Sequence, residues 1–172
     1  MTRSLEAYSC CTFPRRIGKV FSAWTTLMTN YRYPRSPKLL LGGIAHLARF
    51  IDKIRLRNEG DIQDYNYITV GFDKHLIDFL KIDPHAFEAR VLAGGSDEEL
   101  LAWIHEQAQP RTPEEITQWN HILLSSRPKD DAARQRFQGR LQEIAVKRGV
   151  AVNTLPPVAT WADVIELDEE RL

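Results

Sequence analysis

The chain has 172 residues, with 23 Lys and Arg against 23 Asp and Glu, a formal net charge of zero. A content of 43% hydrophobic and 27% charged residues is an ordinary globular mix and excludes a wholly disordered or collagen-like chain. The zero conceals a division. Residues 1–58 carry 11 bases against Glu6 and Asp52, a net of +9, and residues 59–172 carry 12 bases against 21 acids, a net of −9. Such a split marks either an anion-attracting face or two halves that neutralise each other on folding.

One uncharged run, Val20 to Tyr31, contains Ser22, Thr25, Thr26, Thr29 and Asn30. It is too short and too polar for a bilayer span, which needs ~20 apolar residues, and it is equally poor as a secretory signal. The two cysteines, Cys10 and Cys11, are adjacent. They offer no disulfide framework and no Cys-based zinc site, so a reducing, cytoplasmic setting is expected.

Residues 1–35 read as a basic, poorly ordered N-terminal extension, with Arg3, Arg15, Arg16, Lys19, Arg32 and Arg35 against Glu6. A flexible tail, a targeting segment and upstream translation ahead of a start at Met28 are its three readings. Residues 36–172 read as one helical domain. Gly42-Gly43 precede a predicted helix from Ile44 to about Asn58, with Ile44, Leu47, Ala48, Ile51 and Ile54 on one apolar stripe. Residues 61–71 read as an aromatic loop with an extended piece near Tyr67 to Val70. Asp73 is expected to cap a helix through Leu80 that buries Leu76 and Ile77. Asp83-Pro84 opens a helix to Ala93 with Phe87 and Val91 inward. Ser96 to Glu99 and Thr112 to Glu115 are capping-box sequences. They start helices carrying Leu100, Leu101 and Ile104, then Ile116, Trp119 and Leu123. A long helix from about Asp130 to Arg148 buries Ala133, Phe137, Leu141, Ile144 and Ala145, and Thr160 starts a last short one. The expected fold is a compact all-α bundle of six or seven short helices, large enough to bury a core without metal or disulfides.

Several segments resemble a bacterial family catalogued only as a domain of unknown function. They are Pro34-Arg35-Ser36-Pro37, Leu41-Gly42-Gly43, His46 to Lys53, Gln63-Asp64-Tyr65-Asn66-Tyr67, Phe72-Asp73, Phe79-Leu80, Thr112 to Glu115 with Trp119-Asn120, and Trp161 to Asp168. The resemblance runs from Pro34 to the C-terminus. It implies that residues 1–30 lie outside the domain, and it carries no catalytic residues.

The candidate binding site is the helix expected after Gly42-Gly43. His46, Arg49, Lys53 and Arg57 fall on one stripe. No acid occupies the first turn, so Gly42 and Gly43 N–H groups with His46, Arg49 and Lys53 are candidates for a small phosphate or carboxylate, or for an acidic partner. A solvated basic face is the plain alternative, as is docking of the acidic stretch Glu166 to Glu170 on that stripe. Asp52 is expected to pair locally with Arg49, Lys53 or Arg55. The second class of reading is a small enzyme, with His46 and Tyr65 or Tyr67 as acid–base candidates. The third is a structural or homodimeric interaction protein. No cofactor and no metal are expected, although His46, His75 and His121 form one conceivable ligand set drawn from separate helices. Residues 38–172 hold 17 bases and 22 acids, which argues against general nucleic-acid binding.

Overall fold

Local chemistry sets the helix boundaries. The computed structural model describes residues 33–61 and 65–172. The N-terminal extension up to Arg32, including Cys10, Cys11 and Met28, lies outside the described residues, as do Gln63 and Asp64. Seven α-helices follow among the described residues: α1 Leu47–Glu59, α2 Gly71–Leu80, α3 Pro84–Leu92, α4 Asp97–Gln107, α5 Pro113–Leu124, α6 Asp131–Arg148 and α7 Trp161–Asp168. Ser96 and Thr112 close reciprocal capping boxes with Glu99 and Glu115, and Thr160 does so with Asp163. Asp83 and Asp130 accept hydrogen bonds from the Ala86 and Ala133 amides. Each cap satisfies helix-end donors that would otherwise need water.

Two expectations are corrected at the start of the domain. The first helix begins at Leu47 rather than Ile44, because residues 40–45 form a short antiparallel hairpin. Its strands β1 (Leu40–Leu41) and β2 (Ile44–Ala45) pair Leu40 with Ala45 and Leu41 with Ile44. Gly42 and Gly43, at φ 58° and 80°, make its turn, and two left-handed residues in succession suit a hairpin of this hand. The extended piece thus lies before α1, whereas residues 65–70 carry no strand. The second correction concerns Asp73, which does not cap α2. Val70 stands at the N-cap without a side-chain bond, and Asp73 turns inward.

The core has two parts. The larger joins the hairpin and α1 to α5 around Leu47, Phe50, Ile51, Leu76, Phe87 and Leu100. Phe50 stacks on Phe87 at 5.2 Å, and Phe79 stacks on Trp119 at 4.8 Å. Helix α5 is tied to the hairpin by side chains. Asn120 accepts from the Ala45 amide at 2.8 Å and donates to the Gly43 carbonyl at 2.7 Å. The smaller part lies between α6 and α7, where Phe137 and Ile144 meet Val164 and Leu167, with Trp161 edge-on to Phe137. The described residues belong to one compact unit. Arg35 is anchored in it, donating to both Asp52 oxygens at 2.8 and 2.9 Å and to Asp97. Asp52 therefore meets a cation from before the hairpin rather than one on its own helix. No helix among the described residues is long and apolar enough to cross a membrane.

Candidate functional site

Helix α1 runs through the middle of the larger core, and this decides the state of its basic stripe. His46, Arg49 and Lys53 are only 2%, 2% and 4% exposed. A charged side chain held this far from water must be paired or it destabilises the fold. Both partners come from other elements.

Asp73, in the first turn of α2, serves two of the three. His46 Nε2 lies 2.8 Å from Asp73 Oδ1, and Lys53 Nζ donates to Oδ2 at 2.6 Å. The Ile68 amide adds a third bond to Oδ2 at 3.2 Å. Burial pushes the Asp73 carboxyl up, but the bonds from His46 and the charge of Lys53 outweigh it and hold the carboxyl below its ordinary value. Burial pushes His46 and Lys53 down. A neutral imidazole facing an ionised carboxylate must carry its proton on Nε2, since the carboxylate only accepts. Nδ1 is then a lone-pair acceptor, and it is buried with no hydrogen-bond partner. Phe72 packs edge-on to the ring at 5.5 Å.

Glu169, just beyond α7, serves Arg49. The guanidinium donates to both carboxylate oxygens, at 2.8 and 2.5 Å, the fork-to-fork geometry that Arg favours. Tyr65 donates its hydroxyl to Glu169 at 2.8 Å and lies under the Arg49 guanidinium at 5.2 Å. Arg171 adds two bonds to Glu169 at 2.5 and 2.6 Å. It also donates to the Pro34 carbonyl, while Arg49 reaches the Arg35 carbonyl at 3.2 Å. The two ends of the domain meet at one carboxylate. Glu169 raises the Arg49 pKa against the effect of burial, and burial together with Glu169 raises that of the Tyr65 hydroxyl.

The fold thus gathers His46 and Lys53 on Asp73, gathers Arg49 and the half-buried Tyr65 on Glu169, and leaves others apart. Gly42 and Gly43 stand in the hairpin turn, so their N–H groups are not a helix N-terminus. The N-cap of α1 is His46 itself, at φ 70°, a conformation that His tolerates better than most side chains. Tyr67 donates to Glu88 and lies under Arg57 at 4.3 Å. His75 and His121 do not join His46. Among the described residues no group of three His, Cys, Asp or Glu side chains is placed to hold a metal ion.

Asp73 and Glu169 were not singled out as site residues by the sequence reading, although the acidic C-terminal stretch was weighed as a partner for α1. A signal existed. Arg49 and Lys53 stand four residues apart on one helix, a like-charge pair that is unfavourable on a solvated face. Anions from outside the helix relieve such a pair, and spacing alone does not say whether those belong to a ligand, to the chain or to solvent.

A second basic helix is α6, with the residues leading into it. Residues 127–148 hold seven bases, Arg127, Lys129, Arg134, Arg136, Arg140, Lys147 and Arg148, against Asp130, Asp131 and Glu143. Arg127, Lys129, Arg134 and Arg136 are exposed. Arg127, Lys129 and Arg136 have no carboxylate partner among the described residues. The acidic sum over residues 59–172 hid this local surplus.

No curated protein matches the chain. The model of one family matches residues 31–171, the unit that holds all seven helices, the buried ion pairs and the exposed basic helix, and the chain therefore belongs to the family described as a domain of unknown function (DUF5069).

Proposed function

We propose that the domain is a binding module for an acidic partner, and that α6 with the residues leading into it supplies the charge. The observation that carries this reading is the division of the cations. Arg49 and Lys53 of α1 are neutralised inside the protein by Glu169 and Asp73, whereas Arg127, Lys129 and Arg136 are exposed to solvent. A small phosphate or carboxylate at Gly42, Gly43, His46, Arg49 and Lys53 would compete with two carboxylates already in contact, so α6 is the better-supported basic helix. The adjacent pair Cys10 and Cys11, with no other cysteine, supports a reducing cytoplasm as the setting.

Titration of a labelled Asp-rich peptide with the full chain, followed by fluorescence anisotropy, tests the reading. Binding is expected, weakening as salt rises because exposed charges are screened. The double variant Arg127→Glu/Arg136→Glu is expected to weaken it at least about tenfold, since like charges then face each other. No binding by wild type, or equal binding by the variant, overturns the reading.

The unpartnered Nδ1 of His46 favours a second reading, an acid–base centre in which Asp73 orients the imidazole. It requires substrate to reach a residue that is 2% exposed. Modification by diethyl pyrocarbonate separates the two readings, because His75, His85, His105 and His121 are all exposed. Sparing of His46 supports the binding module. Modification of His46 at the rate of the other four supports the acid–base centre.

A further inference from the structure

One groove of about 770 Å³ lies along α6, on the face turned toward residues 158–159. Its apolar lining is Phe137, Val158 and Ala159, and the exposed Arg127 and Arg134 also line it. Three amides, Gln135, Gln138 and Gln142, line the helix side. They fall at i, i+3 and i+7, one face of a helix, and rise together by ~10.5 Å along its axis. All three are exposed, and none has a hydrogen-bond partner among the described residues.

Gly139 lies between them, inside the 18-residue α6. Glycine in a helix interior weakens the helix relative to alanine. Nothing in the fold demands it here. The backbone is helical, and a Cβ built on Gly139 meets nothing within 4 Å. What the missing side chain does leave is bare helix backbone facing an open groove, the arrangement that lets another backbone approach closely.

We infer that this groove takes an extended acidic segment of a partner protein, whose main chain pairs with Gln135, Gln138 and Gln142 across Gly139 and whose carboxylates meet Arg127 and Arg134. The inference rests on the acidic-partner reading and names its site. An amide side chain carries both a donor and an acceptor, the complement of a peptide unit. A rise of ~10.5 Å matches three extended residues at about 3.3 Å each. Arg134 pairs with Asp131 in the free protein, with both side chains more than half exposed. Such a surface pair is weak and exchangeable. A nucleic-acid strand fits less well. Asp131 sits in the same groove, its one aromatic ring, Phe137, is buried, and residues 38–172 carry 22 acids against 17 bases. Single-strand grooves need exposed stacking faces and a positive field.

The full chain is titrated with a labelled peptide of alternating Asp and Ser, and separately with a single-stranded DNA oligomer of matched charge. Four proteins are compared: wild type, Gly139→Ala, Gly139→Leu and Arg127→Glu/Arg136→Glu, each checked for its fold by circular dichroism. Gly139→Leu projects a bulky side chain into the groove without touching the core. It is expected to weaken peptide binding at least about tenfold, with Gly139→Ala between it and wild type and DNA bound more weakly than peptide. If folded Gly139→Leu binds like wild type while the charge variant loses binding, the groove inference falls and the acidic-partner reading stands. If neither variant changes binding, both fall. Tighter binding of DNA that Gly139→Leu blocks overturns the peptide as occupant. A backbone N-methylated peptide that binds as tightly as its parent overturns main-chain recognition.

Discussion

Helix α1 carries four basic residues and α6 carries five, and the fold treats them in opposite ways. In α1, Arg49 and Lys53 lie in the core with Glu169 and Asp73 against them. In α6, Arg140, Lys147 and Arg148 reach across to the end of α7, to Asp168 and to the carbonyls of Leu167 and Leu172. Arg134 and Arg136 stay in solvent. The difference follows from what surrounds each helix. Along the face that carries Arg49 and Lys53, α1 is enclosed by the hairpin and α2 to α4, so these two cations must find anions within the protein, while Arg57 near its end stays exposed. Helix α6 buries one face only, against α7 and the turn before it, and its remaining face is free to keep charge in water. Basic content alone therefore says little about which helix meets a partner. Enclosure decides it.

The largest test of this contrast is to remove one buried anion. Asp73→Ala leaves Lys53 buried without its hydrogen-bonded counter-charge and removes the hydrogen-bond partner of His46. It is expected to destabilise the domain by about 3–5 kcal/mol, the usual cost of an orphaned buried charge, as read by urea denaturation. Glu169→Gln keeps the shape and the Tyr65 contact but strips the charge that faces Arg49 and Arg171. A loss of about 2–4 kcal/mol is expected. A loss below about 0.5 kcal/mol in both would mean that α1 is no more enclosed than α6.

Acid sharpens the comparison further. His46 has a folded pKa below its ordinary 6.5, so below that pH the unfolded chain takes up a proton that the folded protein does not. Stability is present above about pH 6.5 and declines as pH falls through the window below it, by up to about 1.4 kcal/mol per pH unit. Asp73 behaves likewise from a lower start. Its folded pKa lies below the ordinary 3.8, so its contribution is present above that value and is lost as pH falls through the folded pKa. Denaturation midpoints measured from pH 8 downward are expected to show the first decline in wild type. His46→Asn, which keeps a side chain tolerant of the left-handed N-cap, is expected to remove it.

The smallest effects belong to α6. Gly139→Ala is expected to stabilise the helix by about 0.5–1 kcal/mol, a rise of a few degrees in Tm. A drop in Tm would show that glycine is needed for packing. Arg136→Ala is expected to change stability by less than about 0.5 kcal/mol, since no partner is lost. A larger change would place Arg136 in the internal network and end its claim to a partner.

Much of the architecture was legible before folding was considered. The capping boxes at Ser96 and Thr112, the Asp83-Pro84 start and the stop at Gly149 are local devices, and the helices they bound fall within a residue or two of expectation. The same holds for the stripe of Leu47, Ala48, Ile51 and Ile54, because helical periodicity is a property of neighbours in sequence. Gly42-Gly43 forms a hairpin turn rather than the expected helix start. Two glycines before an apolar stripe suit a helix start and a hairpin turn alike, and pairing of Leu41 with Ile44 decides between them. The Asp73 misreading is of the same kind: an acid in the first turn of a helix serves as a cap only when nothing nearby competes for it. Here Lys53 and His46 do.

The opening balance of charge shows where the two kinds of information divide. Sequence by itself determined the helices, their caps, the apolar stripes and the excess of bases before residue 59. Only the tertiary structure decided that Arg49 and Lys53 lie in the core and which anions they meet there. Asp73 is 20 residues from Lys53, and Glu169 is 120 residues from Arg49. Periodicity and capping act over a few residues, whereas Coulomb attraction acts through space and becomes strong only where neighbouring helices exclude water.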